Sequence, residues 1–139
     1  MSSLIRSVLS VLAGLIAGYV LITVFEIAGT MVYPLPPGVD PANMEALRAM
    51  VDQIPAGAFV FIIAGWGVGT FAGAWLAGRI ATRDKSAHGL VVTVLLTLGG
   101  LFTLLTIPHP MWVWGLGLAA LVGGGYAGSR LAARAVPVG

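Results

Sequence analysis

Among the few charged side chains of this 139-residue chain, one acid, Glu26, falls inside an apolar run. A carboxylate in hydrocarbon is costly, so an ionisable group at such a position is a functional candidate by default. Along a helix rising about 1.5 Å per residue, Glu26 lies about 30 Å beyond Arg6. With Arg6 at one membrane face, Glu26 is expected at the other, within reach of water, His109 or Arg48. Glu26, His109 and Arg48 therefore form the candidate set, either as an interfacial pairing or around a proton-coupling acid, and the pairing asks less of the sequence. His88 and His109 are the two imidazoles, the ligand type that holds haem, but about 30 Å of helix separates them. They cannot share one iron within a chain. Glu26 with His109 supplies two metal ligands where three or four are usual, so neither metal nor cofactor is expected. With no cysteine, disulfides and thiol nucleophiles are excluded. No hydroxyl sits with a base and an orienting group, and Gly65-Trp66-Gly67-Val68-Gly69 lacks the lysine and strand-to-helix setting of a phosphate loop. No enzyme is expected.

The string Glu26-Ile27-Ala28-Gly29-Thr30 resembles the Glu-x-x-Gly-Thr of small multidrug resistance transporters, which are four-span proteins. In that family the first-span glutamate binds protons and cationic substrates, which implies for Glu26 a coupling role. Those proteins are shorter and lack a long first loop, whereas about 20 residues separate the first two apolar runs here.

The elements that must position these residues follow from composition. Hydrophobic residues make up 58% of the chain and charged ones 9%, with a mean hydropathy of +1.00, whereas soluble domains carry about 25% charged residues. A span needs about 20 apolar residues, and the sequence divides into four: about 4–28, 56–80, 88–107 and 111–131. The expected fold is an all-α integral membrane bundle of four transmembrane helices forming one domain. The first run opens like a secretory signal, with Arg6 before a long apolar stretch. It outlasts a signal core and no small-x-small cleavage site follows, so it reads as a span. Ser2 and Ser3 are its possible N-caps, and the prolines of Tyr33-Pro34-Leu35-Pro36-Pro37-Gly38 end it. In the loop 33–55, Asp40-Pro41 reads as an N-cap followed by a first-turn proline. Met44, Leu47, Val51 and Ile54 then make one apolar stripe, so a short amphipathic helix over Pro41 to Gln53 is expected on the membrane surface or against the ends of the spans.

Arg6, Arg79, Arg83, Lys85, Arg130 and Arg134 fall on one side of these spans and Arg48 alone on the other. The side rich in Lys and Arg is expected to be cytoplasmic, which puts both termini there. Tyr33, Trp112 and Trp114 then form an aromatic belt at the opposite interface. So small a net charge, +2, placed at helix ends, gives no reason to expect nucleic acid. Gly73 to Ala81 echoes Gly124 to Ala132 at a spacing of 51, each with an aromatic four residues before an arginine. A duplicated hairpin would produce this, and so would two helix ends with the same needs.

Small residues recur at spacing four: Gly14 and Gly18 in the first span, Gly65, Gly69, Gly73 and Ala77 in the second, Gly124 and Gly128 in the fourth. In lipid, helices associate by close van der Waals contact, and glycine lets backbones approach. Such faces serve the bundle itself, which is the plainer reading, or a further subunit. The proline-containing strings at 33–41, 54–58 and 107–112 resemble those of small, uncharacterised bacterial four-span inner-membrane proteins, which implies a bacterial inner membrane and brings no activity. The function expected is that of a non-catalytic accessory or scaffold subunit in the lipid bilayer, packing through glycine-rich faces on other membrane subunits or on itself. The alternative is a small oligomeric proton-coupled transporter using Glu26.

Overall fold

The computed structural model describes residues 2–134. Four helices are each long and apolar enough to cross a membrane: α1 (Ser3–Val32), α3 (Ala56–Ile80), α4 (Lys85–Thr106) and α5 (Met111–Arg134). Between α1 and α3 lies the short helix α2 (Met44–Met50), which runs on into a 3-10 turn, Val51–Gln53. The described residues form an all-helical, multi-pass membrane bundle.

The spans match the sequence reading, with ends displaced by local backbone chemistry. α1 continues past position 28 to Val32 because nothing opposes helix until Tyr33, whose place before Pro34 disfavours the helical backbone. Its start is capped by Ser2, whose hydroxyl accepts from the Ile5 amide at 3.3 Å. α4 begins at Lys85 rather than His88, and α5 persists to Arg134 rather than 131, since polar residues at a helix end need not stop its hydrogen bonding. The surface helix starts three residues later than Pro41. The Asp40 carboxylate accepts from the Ala42 amide at 2.9 Å, closing a local turn instead of opening a helix. Asn43 is the true cap, accepting from the Ala46 amide at 3.1 Å. Upstream, Val39 N–H donates to the Pro36 carbonyl at 3.2 Å across Pro37-Gly38, with Gly38 at φ 86°. Proline followed by a positive-φ glycine is the pattern of a type II turn.

α3 occupies the centre, touching α1, α4 and α5, while α1 and α5 do not meet. Glycines let its backbone lie close to two neighbours, its own toward α1 and those of α5 on the other side. On one face, a Cβ built on Gly73 would stand 2.5 Å from the Gly14 carbonyl oxygen, and one on Gly69 2.7 Å from that of Gly18. Gly65 meets the Phe25 Cβ of α1 in the same way. The opposite face carries Gly67, two residues and about 200° away, and there Gly124 of α5 lies on the Gly67 backbone and Gly128 on that of Phe71. All seven glycines singled out from the sequence thus touch neighbours within the chain. Interior hydroxyls also stay local: Ser10, Thr70, Thr93 and Ser129, all buried, donate to the carbonyls of Ser7, Trp66, Gly89 and Tyr126 at 2.7 to 2.9 Å.

The end of the bundle that carries the described termini is closed by Arg6, whose guanidinium Nε donates to the Ile80 carbonyl at 3.0 Å. This places a cation on the carbonyl-rich C-terminus of α3. Nearby, Arg79 lies over the Trp75 ring at 5.7 Å and Arg130 over the Tyr126 ring at 6.0 Å. The two echoed segments therefore present matching cation–π contacts.

Candidate functional site

The loop end of the bundle encloses a cavity of about 320 Å³. Its wall takes Glu26, Thr30 and Tyr33 from the last turns of α1, Phe59 and Ile62 from α3, and Thr103 from the end of α4. His109, in the turn joining α4 to α5, completes that wall, and Leu35, Leu47 and Ile54 cover it from the segment between α1 and α3. That segment is where the apolar stripe goes. Val51 and Ile54 pack on the buried core and Leu47 faces the cavity, so the stripe is used against the ends of the spans. α2 itself stays loose, with no Cα within 8 Å of a Cα in any spanning helix.

With α1 extending to Val32, the Glu26 carboxylate sits six residues, about 9 Å, before the helix end, and the final turns of α1 help to roof it. It is half-buried. The Trp66 indole meets it as a hydrogen-bond donor, in a loose contact rather than a fully formed bond. His109 reaches the same cavity, as the sequence suggested. Arg48 does not: it is exposed on α2 and lines no part of the cavity, and neither does any other Lys or Arg. His88 stays at the far end of α4, its Nδ1 3.0 Å from the Asp84 carbonyl.

His109 Nδ1 lies 2.8 Å from the Ile107 carbonyl oxygen. A carbonyl only accepts, so Nδ1 carries the hydrogen and Nε2 remains an acceptor while the ring is neutral. Burial holds the imidazole below the usual histidine range, and the bond to the Ile107 carbonyl offsets part of that. Phe59 and Trp66 flank the ring at centroid distances of 6.0 and 6.5 Å, and Trp112 stands edge-on to Phe59 at 5.8 Å. The Thr30 and Thr103 hydroxyls donate to the Ile27 and Gly99 carbonyls of their own helices. Both keep their lone pairs free.

Of the three belt residues, Trp112 is exposed, while Trp114 packs on the core. Tyr33 turns its ring against Phe61, at 6.2 Å and 65°, with its hydroxyl over Gly57. In the sequence, Trp66 reads only as part of the Gly65–Gly69 packing run. Its signal was a lone indole N–H deep in an apolar span, where such a donor needs a partner.

The chain matches no protein-family model, no curated protein and no solved structure. A cavity walled by aromatic rings with one carboxylate and one free imidazole nitrogen can hold a small cation or exchange a proton. A second depression, between α1 and α4 toward the other end, is apolar apart from Ser7 and His88.

Proposed function

We propose that this protein is a non-catalytic membrane subunit that associates through the outward face of α5 with a second copy of itself or with another membrane subunit. The observation that supports this reading is a small-residue stripe left over after folding. Gly115, Ala119, Gly123 and Ala127 recur at spacing four along α5 and are all exposed, and a Cβ on Gly115 or Gly123 would meet nothing within 4 Å. The seam glycines have backbones against them; this stripe has open space. Close helix approach is what such a stripe permits in lipid. The expected result is that Gly115→Leu with Gly123→Leu reduces the assembly to single chains in mild detergent while the melting of the bundle is unchanged. Ala119→Cys, in a chain without cysteine, is expected to crosslink to itself if the partner is a second copy. An unchanged assembly size in the double variant would overturn the reading.

The proposal includes a bacterial inner membrane with both termini cytoplasmic, supported by the six basic residues gathered at the end that carries the described termini. An impermeant thiol reagent applied to intact cells should label Glu45→Cys and spare Arg83→Cys, and the reverse pattern inverts the topology.

The transporter reading has the shared cavity of Glu26 and His109 in its favour. Against it, the buried hydroxyls of Ser10, Thr70, Thr93 and Ser129 bond to carbonyls of their own helices and present no free donor to a passing proton.

A further inference from the structure

We infer that the cavity at the loop end is a binding site for a primary ammonium group, held between Glu26 and His109. The inference requires binding only and stands apart from the association through α5. It rests on an imbalance of donors and acceptors. The cavity is lined by Glu26, by His109, whose Nε2 is left free by its bond to Ile107, and by Thr30 and Thr103, whose hydrogens are committed to their own helices and whose lone pairs are not. The Tyr33 hydroxyl lies at the wall over Gly57. Against these, the Trp66 indole supplies one donor toward Glu26. A ligand that completes this set must bring N–H donors.

Charge points the same way. Glu26 is half-buried in an apolar wall with no Lys or Arg lining the cavity, and a carboxylate in such surroundings is stabilised by an opposite charge that this chain does not place there. An alkylammonium brings one positive charge and three N–H donors in a compact head. Tyr33 and Phe59 line the same cavity, and aromatic rings are side chains that attract a cation. Leu35, Leu47, Ile54 and Ile62 give an alkyl stem an apolar path. A quaternary ammonium has the charge without the N–H bonds, so it leaves the acceptors unmet, which is the arrangement that discriminates most sharply between analogues. Two sources share this chemistry at the membrane interface: a free alkylamine, and the headgroup of an ethanolamine lipid.

The test uses the full chain in phosphatidylcholine nanodiscs, titrated with n-pentylamine and with pentyltrimethylammonium and followed by calorimetry and tryptophan fluorescence. Pentylamine is expected to bind at least about tenfold more tightly than its trimethyl analogue, and Glu26→Gln is expected to remove that preference. Leu47→Trp fills the cavity from α2, whose backbone does not approach the spans, and is expected to abolish binding even if Glu26→Gln fails to fold. Replacing the lipid with phosphatidylethanolamine separates the sources. If the headgroup is the occupant, wild type but not Glu26→Gln retains it in native mass spectra and pentylamine is displaced. If pentylamine binds equally in both lipids, the ligand is a free amine. Affinities for the two amines within about twofold of each other, or pentylamine binding that survives both substitutions, would overturn the inference. So would pentylamine failing to bind in phosphatidylcholine together with no lipid retention dependent on Glu26.

Discussion

Gly73→Ala is expected to lower the unfolding free energy of the bundle by about 1 to 3 kcal/mol, and Gly73→Leu to leave no folded bundle at all. The methyl group would stand 2.5 Å from the Gly14 carbonyl oxygen and 3.3 Å from the Gly18 Cα. Both contacts are to backbone, which has no rotamer to escape into. Relief requires α1 and α3 to separate, and separation loses the close contact on which helix association in lipid rests. Gly18 against Gly69 would be opened by the same displacement, because it lies one turn along the seam. The matched control is Gly123→Ala, where a Cβ meets nothing within 4 Å. There the change is expected to be neutral or stabilising by at most about 1 kcal/mol, since alanine loses less backbone freedom than glycine. Unfolding of both variants in mixed micelles, followed by far-ultraviolet circular dichroism, checks this. Equal midpoints would show that the seam has room to yield.

The contrast between those two glycines shows what the sequence could convey. Four apolar runs, the prolines that end them and the spacing of small residues are local properties, and they predicted the bundle with its hairpins. Which glycines meet a backbone is a property of neighbours. Gly65, Gly69 and Gly73 form a visible stripe at spacing four, whereas Gly67, whose backbone receives Gly124, lies on the other face of the same helix, where spacing alone does not single it out. The outward stripe of α5 was hidden for the same reason. Gly115 and Gly123 look no different in sequence from Gly124 and Gly128, and only the placement of α3 beside α5 divides them. Asp40-Pro41 misled as a cap because an aspartate before a proline suits both a helix start and a side-chain turn, and here Asn43 competes for the cap three residues later.

The candidate site was legible in part. Glu26 and His109 stand out by chemistry, and that they line one cavity follows from where the spans end. Arg48 is expected from proximity in the loop, and the structure turns it outward because the half-buried, inward stripe of that segment is Leu47, Val51 and Ile54. Trp66 escaped because it is 40 positions from Glu26 in sequence and sits among glycines that explain themselves by packing.

Trp66→Ala is expected to have the largest effect of any single truncation among the described residues, about 3 to 5 kcal/mol, the range for emptying an aromatic site in a packed core. Trp66 is 2% exposed and belongs to the buried cluster with Phe59, Leu104, Val113 and Leu121. Its six-membered ring lies so close to α5 that a Cβ on Gly117 would fall 2.7 Å from it. The residue thus fills the junction of α3 and α5 and lies behind His109 and Glu26, which line the cavity. Removing it joins the vacated space to the cavity, so the walls lose their contacts on both sides and the gap is open to water. Trp66→Phe separates the two roles, because it keeps most of the ring volume and removes only the N–H. It is expected to cost far less stability than the alanine variant while still weakening pentylamine binding, since the indole N–H that approaches the Glu26 carboxylate is gone. Thermal unfolding and pentylamine titration on the same two preparations decide the matter. A Trp66→Ala bundle that melts with wild type would show that the ring fills no necessary space, and a Trp66→Phe variant that binds pentylamine as wild type does would show that Glu26 is positioned without it.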